Sequence, residues 1–148
     1  MLFKYYDMPF RIDPNQSIEK NELIIYDEVE NNVEYVGKTY TISKKLIEEI
    51  KDIIDKSNVL SIDNDDVFDE HVEGMDSCGP VLMDGKDYYF NFCGQKEFSV
   101  DNIHYYLEYI NDLPAHKAIV NTTIKIMELL KEEGIEIDCI LEWWDKEE

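Results

Sequence analysis

The chain has 148 residues, of which 44% are hydrophobic and 12% aromatic, ten of them Tyr, so it can bury a real core without disulfide or metal staples and is not a disordered chain. Its 34 acidic and 14 basic residues give a formal net charge of -20, which argues against direct binding to nucleic-acid phosphates or anionic lipid headgroups, because both need Lys or Arg to neutralise them. Three Cys without close spacing form neither a disulfide framework nor a zinc ribbon, and no apolar run reaches the length of a signal peptide or a membrane span. The expectation is therefore a cytoplasmic protein with no membrane association and no cofactor.

Residues 1–20 carry Leu2, Phe3, Tyr5, Tyr6, Met8 and Phe10, interrupted by Pro9 and Pro14, a pattern that suits a short edge strand followed by irregular packing. Leu23 to Val29 reads as a strand, and Asn31-Asn32 as a turn into a second one, Val33 to Ile42. A competing hairpin turns at Gly37-Lys38, pairing Tyr35 with Tyr40 and Val33 with Ile42. Both alternatives give antiparallel strands.

From Ser43 the period changes. Leu46, Ile47, Ile50, Ile53 and Ile54 fall at helical spacing, Ser43 is placed to cap, and Ser57-Asn58 ends the run. Lys44 and Lys45 oppose the dipole of that first turn by a few tenths of a kcal/mol, about 0.3–1 each, so burial of the Ile face has to dominate. Val59, Leu60 and Ile62 suggest a short buried strand. Asp63 to Asp76 then holds seven acids, with no Lys or Arg between Lys56 and Lys86, and reads as a loop.

Gly79 to Gly94 combines strand and turn chemistry. Asp84-Gly85 suits a type I′ turn, which would set Val81 opposite Tyr88 and place Val81, Met83, Tyr88, Phe90 and Phe92 on one, core-facing side. Leu82, Asp87, Tyr89, Asn91 and Cys93 would share the other. Phe98 and Val100 add a short strand. Asp101 is placed to cap a helix carrying Ile103, Tyr106, Leu107 and Ile110. Asp112-Leu-Pro starts the longest periodic element, in which Ala115, Ala118, Ile119, Thr122, Ile126, Met127 and Leu130 recur until Gly134 stops it. Beyond it Ile135, Ile137, Cys139, Leu141 and Trp143 alternate with polar residues as in a half-buried strand. The expected fold class is α+β: one domain over 1–148, a mainly antiparallel sheet of about five to six strands packed against two or three helices.

Motifs for chemistry are incomplete. Gly37-Lys38-Thr39 has the end of a phosphate loop, but Asn32 replaces the first Gly and a strand follows. His71-Val-Glu73 has the His-x-Glu order of zinc deaminases without the Pro-Cys-x-x-Cys that must complete the ligand set. The alternation Asp63, Asp65 resembles the start of a calcium loop, yet Val67 stands where the third carboxylate belongs and no Gly follows. Cys93 with His104 or His116 is the one nucleophile-and-base pairing to consider. No metal ligand set is assigned.

Function therefore rests on charge. The expectation is an interaction protein, of inhibitor or immunity type, whose acidic face meets a basic protein through Asp63, Asp65, Asp66, Asp69, Glu70, Glu73 and Asp76. The alternatives are a structural accessory domain without chemistry, and a small metal-dependent hydrolase using the acidic stretch with His71.

Overall fold

A computed structural model of the chain describes residues 1–9, 21–28, 31–70, 86–101 and 111–137. The fold is α+β: among the described residues, six antiparallel strands form one sheet that packs against three helices. The strands are β1 (Phe3–Pro9), β2 (Asn21–Tyr26), β3 (Asn32–Tyr35), β4 (Lys38–Thr41), β5 (Lys86–Phe92) and β6 (Lys96–Asp101). The helices are α1 (Lys44–Ser57), α2 (Asn64–Asp69) and α3 (Pro114–Glu132). Strand order across the sheet is β4-β3-β2-β1-β5-β6, so β1 to β4 form a meander and the β5–β6 hairpin adds to the free side of β1.

This order corrects the N-terminal expectation. β1 is central rather than an edge strand: Phe3 pairs with Ile25 on one side and Phe92 on the other. Pro9 is tolerated because it ends the strand, where a missing N–H costs least. The second correction concerns Val33 to Ile42, which is two strands joined by the competing hairpin, while Asn32, expected in a turn, already pairs in β3. β2 returns into β3 with Tyr26 opposite Asn32, and β3 returns into β4 with Tyr35 opposite Lys38. The second turn is centred on Val36-Gly37, one residue earlier than expected, with φ of 48° and 77°. Two positive φ values in a two-residue loop define a type I′ turn, whose twist matches that of the strands it joins. The register moves by two residues, so Val33 faces Tyr40, and the side-chain faces are unchanged.

Alternation sends one face of every strand into the core. Phe3, Tyr5, Leu23, Ile25, Val33, Tyr88, Phe90, Phe92 and Phe98 are all buried to within 1% of complete. Rings meet at favourable offsets: Phe3 and Phe92 lie 5.4 Å apart, Tyr5 and Phe90 5.5 Å. Asp7 shares this face, 3% exposed, and its Oδ2 accepts from the Tyr5 hydroxyl at 2.7 Å and Asn21 Nδ2 at 3.1 Å, so the carboxylate is solvated by protein donors.

The expected core face of β5 is therefore present, but the expected partner is not. Tyr88 stands between Asp7 of β1 and Val100 of β6, so the place foreseen for Val81 is taken. Asp84-Gly85, Val81 and Met83 lie outside the described residues. Lys96–Asp101 confirms the strand through Phe98 and Val100, and the helix expected from Asp101 falls outside the described residues apart from Asp101 itself, which ends β6.

The helices cover the core face. Ser43 Oγ accepts from the Leu46 amide at 3.1 Å, as its spacing predicts, and Leu46, Ile47, Ile50 and Ile54 are buried. Asn58 closes α1 in the left-handed region at φ 61°, which Asn tolerates better than most residues. Val59–Ser61 is a single 3-10 turn, not a strand, because Asn58 has already turned the chain and Ser61 bonds back to it. α3 begins with Pro114 and ends in a Schellman motif: Ile135 N–H donates to the Leu130 carbonyl at 3.1 Å and Gly134 N–H to that of Lys131 at 2.9 Å, with Gly134 at φ 91°. Ile135 and Ile137 are buried and Glu136 is exposed, as alternation predicts, but these three residues join no ladder; Cys139, Leu141 and Trp143 lie outside the described residues.

The opposite sheet face is built from tyrosines and carboxylates. Tyr6 and Tyr89, directly paired on β1 and β5, stack with centroids 4.8 Å apart and planes 13° from parallel. Lys4, Glu22, Ile24, Tyr26, Glu34, Asn91 and Glu97 share their strand parity, while the described helices contribute their apolar residues to the core on the other side. Among the described residues no helix is long and apolar enough to cross a membrane.

Candidate functional site

The acidic stretch is the place that composition singles out, and its first half is a helix rather than a loop. Asp63 precedes α2 with extended backbone, and its amide donates to Asp66 Oδ2 at 3.3 Å, half of the reciprocal bonding seen in a capping box. Asp65 and Asp66 sit in the first turn, where the positive end of the helix dipole favours anions. Like charges that would repel in a loop are thus placed where the backbone offsets them. Asp63, Asp65 and Asp66 are exposed, and Lys96 of β6 approaches Asp63 to 3.7 Å, an open pair of small energetic weight.

Glu70 departs from this group. Its side chain is 14% exposed and turns inward to the start of α3. Oε2 accepts from the Ala115 amide at 2.5 Å, and Oε1 accepts from the His116 amide at 2.9 Å. Oε1 also meets His116 Nδ1 at 2.8 Å, and since an ionised carboxylate only accepts, Nδ1 carries the proton. α3 needs this: its own N-cap residue is Leu113, which has no side-chain oxygen to offer the first amides. A carboxylate from 45 residues earlier supplies the cap and at the same time fastens the end of α2 to α3. Glu70 is therefore a structural ligand of the helix, not a free surface charge.

A cleft of about 510 Å³ opens beside this contact, between Asn58, Ser61 and Ile62 on one side and Asp66, Glu70 and Ala115 on the other. Its wall carboxylate at Glu70 already accepts from two amides and meets an imidazole, so its hydrogen bonds go to the start of α3. The same bond removes His116 Nδ1 from the pairing with Cys93. That thiol, at φ 59° in the β5–β6 turn, has its pKa raised by burial first and by Asp27 next, with Lys51 and the N-terminal amine opposing, so it is a weaker nucleophile at neutral pH than an ordinary Cys. Cys93 is free; Cys78, Cys139 and His104 lie outside the described residues.

Of the seven carboxylates expected to form one partner surface, Asp63, Asp65 and Asp66 are together at the start of α2 and Glu70 is diverted. Asp69 ends α2, and Glu73, Asp76 and His71 lie outside the described residues. Among the described residues no group of three or more His, Cys, Asp or Glu is arranged to hold a metal ion. Asp63 and Asp65 belong to a helix start, where successive side chains splay around the axis instead of converging as in a calcium loop. Sequence reasoning missed the Glu70–His116 contact. Its one signal was a long helix opening at Leu113-Pro114 without a capping residue, which requires an acceptor from elsewhere. Comparison of the chain with protein-family models, curated proteins and solved structures finds no match.

Proposed function

We propose that this is a cytoplasmic protein-binding module, of inhibitor or immunity type, that recognises a basic protein partner. The observation that supports it is a net charge of -20 on a fold whose α2 carboxylates, Asp63, Asp65 and Asp66, are held outward on a base fixed by Glu70. A preorganised acidic surface speeds encounter with a cationic partner and penalises anionic ones, while leaving the fold's own chemistry idle. It also fits the engagement of Glu70 with the start of α3 and the raised thiol pKa of Cys93, which leave both poorly suited to catalysis.

Affinity capture from the native host tests this. A protein of high pI retained at about 50 mM salt and released by about 500 mM salt is expected, since opposite charges are screened over about 3 Å at 1 M and about 10 Å at 0.1 M. Retention of no basic protein at low salt overturns it.

A further inference from the structure

We propose that the cleft between the end of α1 and the start of α3 is an anchor pocket for one arginine side chain of the basic partner. The inference rests on the basic-partner reading and deepens it, replacing a diffuse acidic surface by one cavity with a named occupant.

The donors around the cleft are spent. A helix start ordinarily attracts anions through its first amides, but here Pro114 has no N–H, the Ala115 and His116 amides donate to Glu70, and the Lys117 amide donates to the Leu113 carbonyl at 2.8 Å. On the facing wall the Ser61 hydroxyl donates to the Asn58 carbonyl at 2.8 Å, so its oxygen has lone pairs but no proton left to offer. Among the described lining residues only the Asn58 side-chain amide could greet an anion.

The acceptors are not spent. Asp66 is exposed, and its Oδ2 takes the Asp63 amide at a long 3.3 Å. A carboxylate has about four lone-pair sites, and at Glu70 the His116 amide and Nδ1–H use two on Oε1 while the Ala115 amide uses one on Oε2, leaving one over. Amides bring dipoles rather than whole charges, so they do not neutralise either carboxylate. No Lys or Arg among the described residues pairs with Asp66 or Glu70, so the place of a counter-cation is not taken by the chain itself.

Charge complementarity and shape then select the occupant. Ile62, Pro114, Ala115 and Ala118 give the cleft an apolar floor, and its volume of about 510 Å³ is that of a site for a small group rather than a crevice. A guest that is apolar along its stem, donates without accepting, and carries positive charge at its head matches floor and walls together. Arginine has these properties, and its guanidinium spreads its donors in a planar fork, which suits acceptors standing on separate walls better than the point charge of lysine. Arginines seated in pockets of this kind are common centres of binding energy at protein interfaces.

The test titrates the whole chain with N-acetyl-arginine methylamide, and with its neutral isostere N-acetyl-citrulline methylamide, at about 150 mM salt, following amide shifts by two-dimensional ¹H–¹⁵N NMR. The arginine compound is expected to shift Ile62, Ala115 and Ala118 saturably, and the citrulline compound to do so at least about fivefold more weakly. Asp66→Asn, which changes a cleft wall, is expected to weaken arginine binding about fivefold. Asp65→Asn removes the same charge from the same helical turn but outside the cleft, and is expected to change it by no more than about twofold. Ala118→Leu fills the floor without altering charge and is expected to abolish the shifts; binding as tight as wild type would overturn the pocket. So would citrulline binding as well as arginine, equal losses from the two Asp variants, or no saturable shift at the cleft in wild type. Each of these leaves the basic-partner reading standing, because the retention of a basic protein at low salt decides that separately. Should Ala118→Leu not fold, the two isosteric Asp variants decide alone.

Discussion

Replacing Glu70 by Ala leaves three donors at the start of α3 without their acceptor: the amides of Ala115 and His116 and the Nδ1–H of His116. Loss of an N-cap costs about 1 kcal/mol within a range of roughly 0.5–2. Stranding a buried imidazole N–H adds about 1–3 kcal/mol, and His116 is only 4% exposed, so little water can replace the carboxylate there. The two contributions together predict about 2–4 kcal/mol of destabilisation, a large share of the roughly 5–15 kcal/mol that holds a domain folded. Glu70→Gln keeps one acceptor oxygen and is expected to lose about half as much. Urea unfolding followed by circular dichroism reads both values, with Asp65→Asn as an exposed control expected to stay within about 0.5 kcal/mol of wild type. A Glu70→Ala variant as stable as that control would refute the assignment of Glu70 as the cap of α3 and return it to the acidic surface.

Val36→Asn should stabilise the protein by about 1 kcal/mol, because a β-branched residue at φ 48° is strained by about 1–2 kcal/mol and the change puts the favoured Asn-Gly pair in a type I′ turn; an unchanged or lower melting temperature would contradict the turn assignment. Phe90→Ala, at a position fully enclosed by the sheet and helices, should cost about 3–5 kcal/mol in denaturant unfolding, and a loss under 1 kcal/mol would show that the residue is not in the core. Alkylation of Cys93 with iodoacetamide should be slower at pH 7 than that of an unfolded control peptide, with its midpoint displaced above the ordinary thiol range; a midpoint at or below that range would contradict the buried, acid-flanked setting. The sign carries to stability: the native thiol keeps a proton that the unfolded chain sheds first, so this group's contribution falls as pH rises above the unfolded thiol's pKa.

Periodic patterns were legible wherever one face is buried and the other wet. α1, with its Ser43 cap and Asn58 stop, and α3, with its apolar spacing and Gly134 terminus, could be read from local sequence, although the cap of α3 could not. The core side of β5 was legible for the same reason: Tyr88, Phe90 and Phe92 alternate with Tyr89 and Asn91. Strand neighbours were not, because nothing in Phe3 or Tyr5 names Phe92 or Phe90 as its partner. The central place of β1 is set by which sheet edge remains open when β5 and β6 arrive, a tertiary outcome. α2 was hidden by composition. Six residues dense in acid look like a solvated loop until the helix start that they themselves stabilise is taken into account. Glu70 was hidden by distance along the chain, since a cap from 46 residues away leaves no local pattern at His116.

The central position of β1 also sets the order in which the protein can be made. The ribosome delivers Phe3–Pro9 well before Lys86–Phe92, the strand that one side of it has to wait for, 77 to 89 positions further along. At about 5–20 residues per second the wait lasts roughly 4–16 s, during which β1 to β4 can pair with one another while the β5 side of β1 stays unpaired. Long-range closure of this kind is the slow step in folding, because loop entropy is lost before the contact returns anything. The nascent meander carries partial protection in Lys4, Asp7 and Pro9, residue types that discourage another chain from adding to an open strand. Phe3 and Tyr5, which end in the deepest layer of the core, offer none. A nascent chain that has not yet reached Phe92 thus keeps one side of β1 open to aggregation, and a translation pause placed before Phe92 would lengthen that exposure more than one placed after it.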